Sequence, residues 1–515
     1  MDKRTRKTGA LTSAQLDRAT GVLLASAAGD ALGAGYEFGS APFDGTPAMI
    51  GGGLGGFAPG EWTDDTAQAV AIARVAASGA DLRTPDALDA VAAGFAQWYA
   101  DGPPDVGIQT AAVLRLAGRD ADGATMTEAA RRVHGATGRS AGNGSLMRTG
   151  PVALAHLDDP TALVEAALAV SALTHHQAEA GQAAALWCLM IRHAVLTGEL
   201  PQAVEVVAEL EAGLGGPGCV DWLAVLAEAE STEPSHFTSN GWSIGALQAA
   251  WSAITHTPVP DRLPCRHLQD ALATAIGIGH DTDTVAAIAG ALLGARWGGS
   301  AVPQEWQALL HGWGLEPGET DGAAALVRWA LPTVRGGRAP GGSGWPLCER
   351  MDYRDWGGEE TWVAHPFVDG VWIGGALPLD DLPEEITAVV SLCRVGTRQV
   401  RDGVVTHAVR LLDTVAEDNP NVAFVIDDAA RTVLRLRDQG HRVYLHCVAS
   451  HSRTPTVATR VAMLAGHSLE ESYAAVCAAL PAARPRQFLR DALAELAAGD
   501  AERARPAGSE VAQGR

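Results

Sequence analysis

Trp62-Thr63-Asp64-Asp65-Thr66-Ala67-Gln68-Ala69-Val70-Ala71 has a distant echo in His280-Asp281-Thr282-Asp283-Thr284-Val285-Ala286-Ala287-Ile288-Ala289. Each is a knot of short acids and hydroxyls followed at once by small apolar residues. Thr and Asp favour the N-cap, so each knot predicts a helix start. A cap needs one side-chain acceptor, whereas Thr63–Thr66 and Asp281–Thr284 each offer four consecutive hydroxyl or carboxylate residues. The surplus calls for another partner. If Asp64, Asp65, Asp281 and Asp283 converge, a close pair at ~4 Å repels by about 4 kcal/mol at an effective dielectric of about 20. A helix N-terminus returns only about 0.3–1 kcal/mol per acid. Hard cations that favour oxygen ligands, Mg²⁺ or Mn²⁺, balance such a cluster.

Outward from these knots, residues 12–332 are dense in Ala, Leu and Val, with few β-type alternations and with Gly/Pro punctuation, and predict an all-α domain. Gly21 to Gly29 carries small residues at close spacing, as a helix buried on several sides does. Thr161–Leu173 and Ala178–Leu196 predict further buried helices, and Gly-rich loops lie at Gly51–Gly60 and Gly138–Gly150. The composition shifts after Pro332. Residues 333–362, rich in Gly, Arg, Pro and Trp without a sustained period, predict a linker or an ordered extended arm. Beyond it, residues 363–497 alternate short β-type runs (Val371–Ile373, Ala388–Leu392, His407–Leu411, Val443–Leu445) with helical patterns at Val422–Asp438 and Pro455–Ala465. That alternation predicts an α/β domain with a mainly parallel sheet. Residues 498–515 predict a disordered tail.

The chain of 515 residues is too long for one ordinary core, and 47% hydrophobic with 19% charged residues fits a globular protein. With 38 basic against 60 acidic residues, the formal charge of −22 disfavours non-specific nucleic-acid and anionic-membrane binding. Seven scattered cysteines suggest a reducing compartment. The basic N-terminus has no apolar core behind it, and no run reaches the 18 or so apolar residues of a membrane span. The expectation is a cytoplasmic protein.

Several ordered blocks in the helical region resemble the ADP-ribosylglycohydrolase family: Gly29-Asp30-Ala31-Leu32-Gly33 with Glu37, Trp62–Thr66, Gly142-Asn143-Gly144-Ser145-Leu146-Met147-Arg148, Thr174-His175, and Gly279–Thr284 followed by Gly290 and Gly294. The resemblance implies two Mg²⁺ or Mn²⁺ ions held by Thr63, Asp64, Asp65, Asp281, Asp283 and Thr284. Such a site orients the distal ribose hydroxyls and positions or activates a water for attack at the anomeric carbon. Glu37 matches the acid beside the metals, and Asp105, in Gly102-Pro103-Pro104-Asp105-Val106-Gly107, matches a loop bordering the substrate. Gly142, Asn143, Gly144, Ser145 and Met147 match a loop whose backbone approaches the pyrophosphate or ribose. His175 matches a histidine near the ADP-ribose.

Near the other end stands Val443-Tyr444-Leu445-His446-Cys447-Val448-Ala449-Ser450-His451-Ser452-Arg453-Thr454. A β run leads into a Cys, five residues intervene before an Arg, and a helix pattern follows. This spacing suits a phosphate cradle of loop N–H groups, a helix N-terminus and a guanidinium fork, and the same positive end favours a thiolate. The stretch resembles the signature loop of the dual-specificity, cysteine-dependent protein phosphatases, and implies a domain of that fold without a cofactor. Cys447 is the implied nucleophile, Val448, Ala449, Ser450, His451 and Ser452 the phosphate-binding loop, Arg453 the clamp on the equatorial oxygens, and Thr454 the hydroxyl that assists departure of the thiolate. His446 orients the loop. Asp413 fits the general acid best, with Asp418 as the alternative. Ser450 departs from the usual Gly; a left-handed backbone there costs about 1–2 kcal/mol for a non-glycine residue. Cys393, after a strand, reads as a core thiol rather than a redox partner.

Together these readings predict a bifunctional hydrolase acting on an ADP-ribosylated protein or ADP-ribose conjugate and on a phosphorylated protein or small phosphate ester. The rival reading is a module that binds ADP-ribose and phosphate, with an inactive phosphatase-like domain.

Overall fold

The structure, a computed structural model, describes residues 10–338 and 344–503, which divide near residue 339 into two compact units. Among the described residues of the first unit there are helices, short 3₁₀ turns and isolated bridges but no strand. Its first helix, Ser13–Gly33, begins with a reciprocal cap: the Thr12 hydroxyl accepts from the Gln15 N–H at 3.2 Å, and the Gln15 side chain accepts from the Thr12 N–H at 2.9 Å. From Ala19 to Gly33 every residue of this helix is buried.

That helix packs antiparallel on another, Thr282–Trp297, and small residues set how closely. A side chain at Gly294 would overlap the carbonyl oxygen of Gly21, and one at Gly33 would overlap the Cα of Asp283. Backbones in such contact leave no room for a methyl on either side. The seam therefore brings the C-terminal turn of the first helix against the N-terminus of the other. Both knots do begin helices, Asp64–Ala77 and Thr282–Trp297. Neither N-cap residue, Thr63 or Asp281, makes a side-chain capping bond.

In the second unit a five-stranded sheet has the order β1-β2-β5-β3-β4, with β1 Trp362–Ala364, β2 Val371–Gly374, β3 Ala388–Ser391, β4 Val405–Ala408 and β5 Val443–His446. β1 runs antiparallel to β2 and the other pairs are parallel, with Val443 opposite both Val371 and Ala388. β5 is central and entirely buried, and it delivers the chain to the loop before the Arg453–Leu464 helix.

Two boundaries differ from the sequence reading. The stretch expected to be a linker or an ordered extended arm is ordered and partly core: Met351 and Tyr353 are buried with Ala376, Leu379, Val389 and Tyr444, and the Tyr353 hydroxyl donates to the Arg394 carbonyl at 2.8 Å. Large apolar side chains in a Gly/Pro-rich stretch are anchors that composition does not register. At the other end, the helix Gln487–Arg503 extends past the expected start of the tail. The fully buried Arg460 donates to Asp427 at 2.6 and 2.8 Å and to Asp500, which ties down that last turn. Residues 339–343 of the expected linker and 504–515 of the expected tail lie outside the described residues. Among the described residues no helix is long and apolar enough to cross a membrane.

Candidate metal centre and candidate phosphate loop

In the first unit the seam assembles carboxylates from both knots. Asp283 belongs to two clusters, one with Asp30 and Asp65 and one with Glu37 and Asp281; in each, the oxygens lie within 4.8 Å of one another. Hydroxyls stand beside them: Thr63 Oγ1 donates to Asp65 Oδ2 at 3.1 Å, and Thr284 Oγ1 reaches the same oxygen at 3.3 Å. The Thr66 N–H, which a capping Thr63 would satisfy, goes to Asp30 Oδ2 instead. Asp64 belongs to neither cluster and accepts from Gln68 Nε2 at 3.0 Å. Asp281 accepts from Asn143 Nδ2 at 2.8 Å, so the Gly142 loop reaches the cluster through its asparagine.

Asp30 was not among the expected ligands, although its block was among those that carry the family resemblance. It sits inside a helix among small apolar residues, where no local pattern marks it. Its buried carboxylate accepts from the Thr63 N–H at 3.0 Å, the Thr66 N–H at 3.0 Å and the Thr66 hydroxyl at 2.6 Å, which holds the second helix start against the first helix.

The electrostatics are those of crowded, buried carboxyl groups. Burial, reinforced by neighbouring carboxylates, pushes Asp65 and Asp283 well above the usual range and Asp64 up to about 8. Glu37 rises to about 7, through burial first and then the charges of Asp281 and Asp105. Asp65 Oδ1 is buried with no hydrogen-bond partner. An all-oxygen donor set with an orphaned carboxylate oxygen fits a hard divalent cation.

Asp105 belongs to neither cluster; it is half-buried and acts on Glu37, Asp64 and Asp281 only through its charge. Gly142 and Gly144 lie close to His175: a side chain at either position would approach the imidazole Nε2 at 3.4–3.5 Å. His175 is buried, and burial with the nearby Arg148 charge holds its imidazole well below the ordinary value, so it is neutral. Ser145 is buried with its hydroxyl unpartnered. Met147 is buried, and its side chain lines a small cavity with Leu23, Ser26 and Val70.

In the second unit Cys447 follows β5 and is 1% exposed. The loop is braced from outside: the Val448 carbonyl accepts from the Ala376 N–H at 2.9 Å, His451 Nε2 lies 2.7 Å from Glu359 Oε1, and the His451 carbonyl accepts from the Arg484 N–H at 2.6 Å. Ser452 Oγ accepts from the Arg486 N–H at 3.3 Å. Among the described residues no acceptor is paired with the N–H groups of Val448, Ala449, Ser450 or His451. Ser450 is buried with φ 53°, the left-handed region, so the strain expected for a non-glycine residue is present.

Arg453 Nη1 donates to the carbonyls of Leu392 at 2.7 Å and Leu411 at 3.2 Å, leaving its buried Nε without a hydrogen bond. Asp413 Oδ2 lies 3.9 Å from that Nε, and Asp413 Oδ1 accepts from Arg486 at 2.6 Å. Asp418 is instead bonded to the Thr414 hydroxyl at 2.6 Å. Thr454 Oγ1 donates to the Gly374 carbonyl at 3.2 Å. His446 is buried, held down to about 4, and bonded to Ser391 at 2.7 Å. Burial pushes the Cys393 thiol up to about 12, as befits an inert core cysteine.

The first unit is thus an all-helical protein organised about a buried carboxylate cluster of the kind that divalent cations neutralise. Residues 11–338 match the model of the ADP-ribosylglycohydrolase family, and the chain belongs to that family. It is 29% identical over 292 residues to the ADP-ribosylarginine hydrolase Tri1 of Pseudomonas putida (strain GB-1), covering 56% of this chain and 73% of the relative. The ADP-ribosyl-[dinitrogen reductase] glycohydrolase of Rhodospirillum rubrum is 28% identical over 304 residues, covering 57% and 90%. The crystal structure of human DUSP28 aligns with 28% of this chain and 98% of its own at 22% identity, with a TM-score of 0.24.

Proposed function

We propose that the first unit hydrolyses the glycosidic bond between ADP-ribose and its acceptor, with Mg²⁺ or Mn²⁺ ions held by Thr63, Asp64, Asp65, Asp281, Asp283 and Thr284, joined by Asp30. The observation that carries this reading is the sharing of Asp283 between two carboxylate clusters, one ending in Glu37. When bound, the ions orient ribose hydroxyls and lower the pKa of a water. Glu37, which burial and the neighbouring carboxylates raise to about 7, is suited to exchange a proton near neutral pH. Asn143 and the glycines beside it hold the loop close enough for backbone contact with a pyrophosphate or ribose. Names of two relatives specify an arginine-linked or protein-linked substrate, so the arginine linkage is the first to test. Release of ADP-ribose from Arg-linked and Ser-linked peptides, with Mg²⁺, Mn²⁺ or chelator, provides the test. Equal rates with and without chelator rule the reading out.

For the second unit we infer cysteine-dependent hydrolysis of phosphate monoesters. Its support is the set of unpaired loop N–H groups around Cys447 together with the buried Arg453 Nε, which makes no hydrogen bond. Cys447 Sγ attacks phosphorus, the ester oxygen leaves with the proton of Asp413, and water then cleaves the thiophosphate as the thiolate departs. Binding without turnover is the second reading, favoured by the strained Ser450. Turnover of p-nitrophenyl phosphate by wild type but not by Cys447→Ser supports hydrolysis; equal rates refute it.

A further inference from the structure

Behind the candidate metal centre lies a buried chain of polar side chains whose middle members, Gln68, Arg148 and Thr174, have no role in the cation or substrate reading. Arg148 is completely buried, in a chain with a net charge of −22. Its guanidinium stacks on Phe95 with Cζ 4.4 Å from the ring centre. Nη1 donates to Gln68 Oε1, and Gln68 Nε2 donates to Asp64 Oδ2 at 3.0 Å. Nη2 donates to Thr174 Oγ1 at 2.6 Å, and Thr174 Oγ1 lies 2.8 Å from His175 Nδ1. Gln68 and Thr174 are as buried as Arg148, so water does not compete for these bonds.

Donor and acceptor capacities then leave one arrangement. Arginine can only donate, so Gln68 must present its carbonyl to Arg148 and its amide hydrogens to Asp64. For the same reason the Thr174 oxygen accepts from Arg148. Its own hydrogen has one acceptor among the described residues, His175 Nδ1. A hydrogen on Nδ1 instead would leave the buried threonine hydroxyl without an acceptor, at a cost of about 1–3 kcal/mol. The ring hydrogen therefore sits on Nε2, the nitrogen beside Gly142 and Gly144, which has no hydrogen-bond partner among the described residues.

We propose that Arg148 is a positioning residue that couples the two halves of the site. Through Gln68 it fixes the carboxylate of Asp64, and through Thr174 it fixes His175 as a neutral donor whose Nε2–H is presented to an anionic or hydroxyl oxygen held by the Gly142–Gly144 loop. The Gln68 arm rests on the reading of Asp64 as a cation ligand; the Thr174 arm does not.

The test uses the full chain, with Mn²⁺ affinity by calorimetry and the His175 ring nitrogens by ¹H–¹⁵N correlation, assigned by loss of the signal in His175→Gln. Wild type should show a bare Nδ1 and a protonated Nε2. Thr174→Val should alter the ring signature and leave Mn²⁺ affinity within about twofold, whereas Gln68→Leu should weaken Mn²⁺ roughly 10–100-fold and leave the ring unchanged. Arg148→Met should do both, and Arg148→Lys, a point charge without the fork, should restore neither. An unchanged ring in Thr174→Val, or wild-type Mn²⁺ affinity in Gln68→Leu, overturns the proposal. If Arg148→Met does not fold, those two single variants still decide. Wild type that binds no Mn²⁺ refutes the cation reading itself, and the ring signature alone then decides the role of Arg148.

Discussion

Replacing Asp283 by Asn is the most informative single perturbation, because its carboxylate belongs to both clusters. At 4.8 Å and an effective dielectric of about 20, one ionised pair repels by about 3.5 kcal/mol. Four neighbours, Asp30, Asp65, Glu37 and Asp281, bring the gross repulsion to the order of 10 kcal/mol, comparable with the whole stability of a domain. Without a cation the fold avoids that penalty by keeping protons, which is what the raised carboxyls express. Asn keeps the oxygen that accepts from the Thr284 N–H at 3.0 Å while removing the charge. In chelator, Asp283→Asn should therefore melt at or above the wild-type temperature. With Mn²⁺ at about 100 times the wild-type dissociation constant, wild type gains about 2.7 kcal/mol, and a variant weakened about 100-fold gains about 0.4. Thermal unfolding followed by circular dichroism, with chelator and with Mn²⁺, measures both effects. An undiminished Mn²⁺ response in Asp283→Asn, or its marked destabilisation in chelator, would refute the cluster as a cation site.

Three further outcomes are expected. Asp64 and Glu37 lie near 8 and 7 in the fold against ordinary values of 3.8 and 4.5, so the metal-free folded state binds more protons than the unfolded chain. Their contribution to stability is present at low pH and lost as pH rises from about 4 to 8, whereas Mn²⁺ affinity rises over the same window as protons are displaced; parallel melting curves with and without Mn²⁺ across that range would contradict this. Gly294→Ala forces a methyl onto the Gly21 carbonyl, where backbone rather than a mobile side chain must yield. It should cost about 3 kcal/mol or more by denaturant unfolding, above the usual range for overpacking, and weaken Mn²⁺ binding by separating Asp30 from Asp283. Asp413→Asn should lower turnover of an unactivated phosphate ester by roughly 10²–10⁴-fold, while Asp418→Asn, whose carboxylate only holds Thr414, should not.

Local chemistry made much of this protein readable. The two knots are legible because capping residues and the apolar runs behind them act within one helical turn, and the Cys447–Arg453 loop is legible because its cradle is a single continuous segment. Asp30 was not, since an acid in mid-helix looks the same whether it faces solvent or another helix. The Arg148 relay was hidden for a related reason: the helical pair Asp64 and Gln68 and the neighbours Thr174 and His175 are joined only through Arg148, which no spacing rule connects to either. Met351, Tyr353 and the Arg460–Asp500 tie show the same limit at the ends of the second unit, where composition suggested loose chain.

The sequence by itself determined where helices begin, which acids and hydroxyls were in surplus, and that a thiol and a guanidinium stand at phosphate-cradle spacing. Only the tertiary structure decided that the surplus converges. Its cause is a seam of small residues along two helices far apart in the chain, whose backbones touch closely enough to set Asp30 near Asp283, while the Thr63 and Thr66 bonds to Asp30 bring in Asp65. Close packing is a property of pairs of surfaces, and no single stretch of sequence contains both.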